Sequence, residues 1–89
     1  MERTDVPRPV EITPPAVLPE DDAATLQQWL VGVGDEVYSG ERIAEVILPG
    51  VLVSVAAPCS GRLVEIVTGP AGRVRPGQVL GWIAPESAT

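Results

Sequence analysis

Short apolar runs, each cut by glycine or proline, set the pattern of this chain. Residues 10–13 (VEIT) alternate apolar and polar positions, and Pro14 and Pro15 end the run. Residues 23–33 (AATLQQWLVGV) contain helix-favouring Ala, Leu and Gln. Leu26, Gln28 and Leu30 nevertheless alternate with Gln27, Trp29 and Val31, and Gly32-Val33-Gly34-Asp35 closes the segment, which predicts a strand ending in a turn. Further strands are predicted at 36–38, 42–48 (RIAEVIL), 51–57 (VLVSVAA), 62–67 (RLVEIV), 73–75 and 78–84. Between them lie Ser39-Gly40-Glu41, Pro49-Gly50, Pro58-Cys59-Ser60-Gly61, the loop 68–72 and Pro76-Gly77. Pro49-Gly50 predicts a type II turn, because proline presets the first central position and glycine takes the positive φ of the second. Val51, Val53 and Val55 fall on one face of the return strand. About eight short strands at this spacing define an all-β sandwich or barrel. Val53, Val55, Leu63, Ile66, Val74, Leu80 and Ile83 are its expected core.

The chain also matches itself at an offset of 37 residues. Val37, Gly40, Ile43 and Val46 recur as Val74, Gly77, Leu80 and Ile83, while Leu26 lies over Leu63 and Gly32 over Gly69. Turns and strands recur together, so two similar halves are expected to pack about a pseudo-twofold axis and share one core.

Composition narrows the chemistry. The 89 residues contain no histidine, no lysine and one cysteine, Cys59, and the six basic residues are all arginines. A Ser-His-Asp triad, a Cys-His pair and a histidine-ligated metal are therefore excluded. So are an intrachain disulfide, a Schiff-base lysine and a P-loop lysine. A net charge of −6 without a basic stripe argues against nucleic acid as partner. No apolar run approaches the roughly 20 residues of a membrane-spanning helix, so no membrane partner is expected. A lone thiol and the lack of a signal-peptide pattern point to the cytoplasm. Residues 1–9 read as a disordered tail, 10–84 as one domain and 85–89 as a frayed end.

One stretch resembles a known family closely. Trp29-Leu30-Val31-Gly32-Val33-Gly34-Asp35-Glu36-Val37-Tyr38-Ser39-Gly40-Glu41-Arg42-Ile43-Ala44-Glu45-Val46 follows the pattern W-L-V-K-x-G-D-x-V-x-x-G-D-x-L-x-E-V of biotinyl/lipoyl attachment domains. Val53-Ser54-Val55-Ala56-Ala57-Pro58-Cys59-Ser60-Gly61-Arg62-Leu63-Val64-Glu65-Ile66 and the closing Val74, Gly77, Leu80 and Ile83 continue it without insertion across the central hairpin. The resemblance implies a flattened barrel, or barrel-sandwich hybrid, of two four-stranded antiparallel sheets with pseudo-twofold symmetry. It also implies a modified lysine at an exposed hairpin tip, within the family's D-K-A. In this alignment Gly50 stands at the lysine position and Pro49 at the acidic one. Neither lipoate nor biotin can then be attached by its usual amide to a lysine, and no cofactor is expected.

The tip instead reads Leu48, Pro49, Gly50, Val51 and Leu52, an apolar turn that is the candidate interaction site. Leu48 and Leu52 are the residues expected to be exposed there; packing on the neighbouring polar loop 18–22 is the competing reading. Trp29 and Trp82 fit half-buried packing better than a ligand surface. Glu20, Asp21 and Asp22 read as a solvated loop rather than a hard-metal site, Asp35 and Glu36 as surface partners for Arg73 or Arg75, and Cys59 as an inert thiol. No catalytic residue and no metal ligand is identified. The expected function is a non-modified protein-interaction or scaffold module, accompanying a 2-oxo acid dehydrogenase or biotin-dependent complex. The expected assembly is a monomer or weak homodimer with a protein partner. The alternatives are a decoy or regulator docking on lipoate or biotin ligases or acyltransferase partners, and a degenerate remnant of a dihydrolipoamide acyltransferase.

Overall fold

The computed structural model describes residues 8–16, 18 and 23–86. Most of the expected N-terminal tail, Glu20, Asp21 and Asp22 of the polar loop, and residues 87–89 lie outside the described residues. The described chain is all-β: β1 (Val10–Ile12), β2 (Thr25–Trp29), β3 (Glu36–Val37), β4 (Arg42–Leu48), β5 (Val51–Ala56), β6 (Gly61–Ile66) and β7 (Gly81–Pro85). They form two antiparallel sheets, one ordered β1-β7-β6-β3 and the other β2-β4-β5. Among the described residues no helix is long and apolar enough to cross a membrane.

The core lies between the sheets. Ile12, Leu26, Val37, Ile43, Val46, Val55, Leu63, Val74, Leu80 and Ile83 are its largest fully buried side chains. Val53 and Ile66, expected in the core, are only half-buried. Leu18, in the loop read as polar, is buried.

The second sheet has three strands where four were expected, because residues 73–75 form no ladder. Confined between Gly72 and Pro76, that segment meets the β2 side through the bridge of Arg73 with Thr25 and through the Val74 N–H, which donates to the Ala24 carbonyl at 3.0 Å. It thus runs along β2 in the place of the fourth strand. The last strand starts at Gly81 rather than residue 78. Gln78 is used otherwise: its amide group accepts from the Arg75 N–H and donates to the Arg73 carbonyl and the Thr68 hydroxyl.

Strict alternation in β2 is broken by a bulge at Gln27, so that Gln27 and Gln28 are both exposed beside buried Leu26. The same irregularity stands 37 residues later in β6, with Val64 and Glu65 exposed beside buried Leu63. Hydrogen bonds follow the same offset. The Gly34 N–H donates to the Leu63 carbonyl (2.8 Å) and the Ala71 N–H to the Leu26 carbonyl (2.8 Å). The Leu30 N–H donates to Ile43 O and the Val67 N–H to Leu80 O, both at 2.9 Å. The Tyr38 N–H donates to Glu41 Oε1 (2.9 Å) and the Arg75 N–H to Gln78 Oε1 (3.0 Å). In the first pair of bonds each half donates to the other, which is the pattern a twofold relation between the halves produces.

Candidate functional site

The candidate site is the turn that joins β4 to β5. Its closing pair is Leu48 with Val51, so only Pro49 and Gly50 lie between the strands. Gly50 has φ 76°. Proline cannot take positive φ at the first central position, which excludes the primed turns usual in two-residue hairpins, and the positive φ at the second identifies type II. A Cβ on Gly50 would touch no described residue within 4 Å.

Register decides which apolar side chains the hairpin exposes. Val46 pairs with Val53, Ile47 with Leu52 and Leu48 with Val51, and successive pairs face opposite sides of the sheet. Val46 is fully buried, which puts Leu48 on the inner side with it; Leu48 is half-buried and packs on the core. The expectation that Leu48 is exposed is therefore corrected. Ile47 takes its place, paired on the outer face with Leu52 and 38% exposed against 54% for Leu52. Val51, beyond the end of the core, is 55% exposed, and Pro49 is exposed as well. The parity of Val46 across the Pro-Gly turn was the signal in the sequence for Ile47. The exposed tip is thus Ile47, Pro49, Gly50, Val51 and Leu52, and no residue from 46 to 53 carries a charge.

The other singled-out residues lie elsewhere. Trp29 and Trp82 sit in different sheets. The Trp29 indole N–H donates to the Thr68 carbonyl at 2.8 Å, and its ring packs on the core. Trp82 borders a shallow apolar hollow with Pro9, Val64 and Glu65. Asp35 Oδ2 accepts the Gly32 N–H at 2.8 Å and holds the turn before β3. Arg62 pairs across strands with Glu36 and donates to the Gly34 carbonyl at 2.6 Å. Cys59 is a free, half-buried thiol against the core. Among the described residues no group of three or more Cys, Asp or Glu could hold a metal ion.

The described residues form an antiparallel barrel of two sheets with an exposed hairpin tip, and comparison with known proteins places that fold. The biotin–lipoyl family model, described as biotin-requiring enzyme, matches residues 10–83, and the chain belongs to that family. It is 41% identical over 64 residues to the dihydrolipoyllysine-residue acetyltransferase component of the pyruvate dehydrogenase complex of Rhizobium meliloti, covering 72% of this chain and 14% of that protein. It is 33% identical over 67 residues to the dihydrolipoyllysine-residue succinyltransferase component of the 2-oxoglutarate dehydrogenase complex of Buchnera aphidicola, covering 74% of this chain and 17% of that one. The chain therefore spans less than a fifth of the length of these relatives. Among solved structures, the lipoyl domain of the 2-oxoglutarate dehydrogenase complex from Azotobacter vinelandii superposes with a TM-score of 0.69 at 28% identity, covering 88% of this chain and 99% of that one. The chain resembles the lipoyl domains of 2-oxo acid dehydrogenase acyltransferases.

Proposed function

We propose that this domain works unmodified, as a protein-interaction or scaffold module beside a 2-oxo acid dehydrogenase or related complex, and that its contact is the apolar β4–β5 tip. The observation that carries the reading is the tip itself. Lipoate and biotin are held through an amide to a lysine ε-amine, whereas Gly50 has no side chain and the 89 residues contain no lysine. The residues present therefore do not fit the family's prosthetic group. In its place the hairpin presents Ile47, Val51 and Leu52, three exposed apolar side chains on an uncharged protrusion. Apolar surface exposed in this way gains by burial against a partner, at roughly 25 cal/mol per Å² of apolar surface removed from water.

The test has two arms. Incubation with lipoate ligase or biotin ligase leaves the intact mass unchanged, and a mass gain rejects the reading. Immobilised wild-type chain enriches 2-oxo acid dehydrogenase subunits from lysate, and Val51→Asp loses that enrichment at an unchanged melting temperature. Enrichment that survives in Val51→Asp, or that is lost only together with the fold, removes the tip as the contact.

A further inference from the structure

The sheet edges of this molecule are unequal, and its internal repeat supplies the comparison. A strand edge with unpaired N–H and C=O groups is a template for another strand unless it is short, charged or interrupted by proline. Among the described residues, β3 has two residues and carries Glu36. The edge beside β2 is occupied by the single bridge of Arg73. β1 has three residues, with Glu11 at its centre, Pro9 before it and Pro14 after it. β5 occupies the edge that corresponds to β1 in the other sheet. It has six residues, Val51–Ala56, and contains no charge and no proline.

The polar groups of β5 divide cleanly. The closing pair of a two-residue hairpin exchanges hydrogen bonds, so Val51, Val53 and Val55 turn their N–H and C=O toward β4. The Ala57 N–H, bonded to the Glu41 carbonyl at 2.8 Å, keeps that alternation beyond the strand. Leu52, Ser54 and Ala56 therefore point theirs away from the sheet, and no described residue bonds to them.

We propose that this edge pairs with β5 of a second copy of the chain, antiparallel and centred on Ser54. The register is self-complementary. Ser54 lies opposite Ser54 of the second copy, and Leu52 opposite Ala56 in both directions. All three outward-facing residues then fall at hydrogen-bonded positions, three pairs with two bonds each. Large Leu52 meets small Ala56, and the central pair is small and uncharged. Glu45 is opposite Ser54 one strand back, and its Oε1 accepts from Gln28 Nε2 at 2.8 Å. Two three-stranded sheets join into one of six strands. Each copy carries a net charge of −6, so the pairing strengthens as salt screens the repulsion. This inference stands apart from the tip reading: its contact is backbone centred on Ser54, and Val51→Asp leaves that register intact.

Sedimentation equilibrium over a concentration series, at low and high salt, is the test. The wild type shifts toward twice the monomer mass as its concentration rises to about 1 mM. Ser54→Pro removes an outward N–H that β4 does not use, and Ser54→Arg sets like charges opposite each other across the twofold. Both are expected to weaken self-association at least tenfold while keeping the wild-type circular dichroism. In NMR the amides of Leu52, Ser54 and Ala56 gain protection with concentration. A wild type that stays monomeric to about 1 mM overturns the proposal. So does wild-type association of both variants, or concentration dependence confined to residues 47–51. Protection that appears only on adding an extended peptide, and never with the chain's own concentration, assigns the edge to a foreign strand and likewise overturns it.

Discussion

Single residues show most directly how the backbone is held. Gly34 and Ala71 stand 37 residues apart, make matching hydrogen bonds and both have positive φ, 100° and 71°. Ala71 is the non-glycine residue of that kind among those described. Its Cβ is strained by about 1 kcal/mol in the left-handed region, a cost that glycine avoids. Ala71→Gly is therefore expected to stabilise by about 0.5 kcal/mol, after the entropy that glycine adds to the unfolded chain is subtracted. Gly34→Ala is expected to destabilise by about 1–2 kcal/mol through backbone strain, because no atom of a described residue lies within 4 Å of its Cβ position. Urea midpoints that move in opposite directions with unchanged slope check the pair; a shift of the same sign in both contradicts it. Ala71 is not legible as a left-handed residue from its identity. Only its alignment with Gly34 marks it.

At the scale of elements, turns and registers carry the site. β4 begins and ends where the residue pattern placed it, and the Pro49-Gly50 turn has the predicted type. Both follow from local chemistry: proline and glycine restrict φ whatever surrounds them. The bulges at Gln27 and Val64 were not legible, since a bulge changes which side chain faces the core without changing residue type. The orientation of Leu48 is set by parity. Counting from buried Val46 places Leu48 inside and Ile47 outside. Close approach between elements is equally hidden in the sequence. A Cβ on Gly61 would collide with the Ala84 carbonyl oxygen and lie 2.8 Å from Pro85 Cα, where β6 meets β7. Gly61→Ala is expected to cost about 2–3 kcal/mol by forcing that ladder apart. A thermal midpoint within about a degree of wild type contradicts this.

For the whole molecule the interleaving of the halves matters most. β3 precedes β4 in sequence but pairs with β6 of the other half, and Arg73 reaches back to β2. The sheet β1-β7-β6-β3 therefore draws strands from both halves, the sheet β2-β4-β5 is bridged from the second half by Arg73, and the domain is expected to unfold in one step. Trp29 in one sheet and Trp82 in the other are natural reporters. Fluorescence of Trp82→Phe and Trp29→Phe, each reading the remaining indole, should give unfolding transitions that coincide with circular dichroism of the same variant. Separate midpoints for the two probes within either variant indicate that the sheets unfold independently. Trp29→Phe also loses the bond to the Thr68 carbonyl and is expected to be less stable by about 1 kcal/mol.

The sequence by itself determined the all-β class, the strands around the central hairpin, the paired halves, and a chemistry without lysine or histidine. These rest on residue type and on short-range backbone preference, which act within a few positions. Tertiary structure decided the rest. It settled that residues 73–75 contribute one bridge rather than a strand, that Leu48 turns inward while Ile47 faces solvent, and that β5 is the one long uncharged edge among those described. Each depends on which strand lies beside which and on the parity of their pairing. Those relations join residues far apart in the chain, where local preference has no reach.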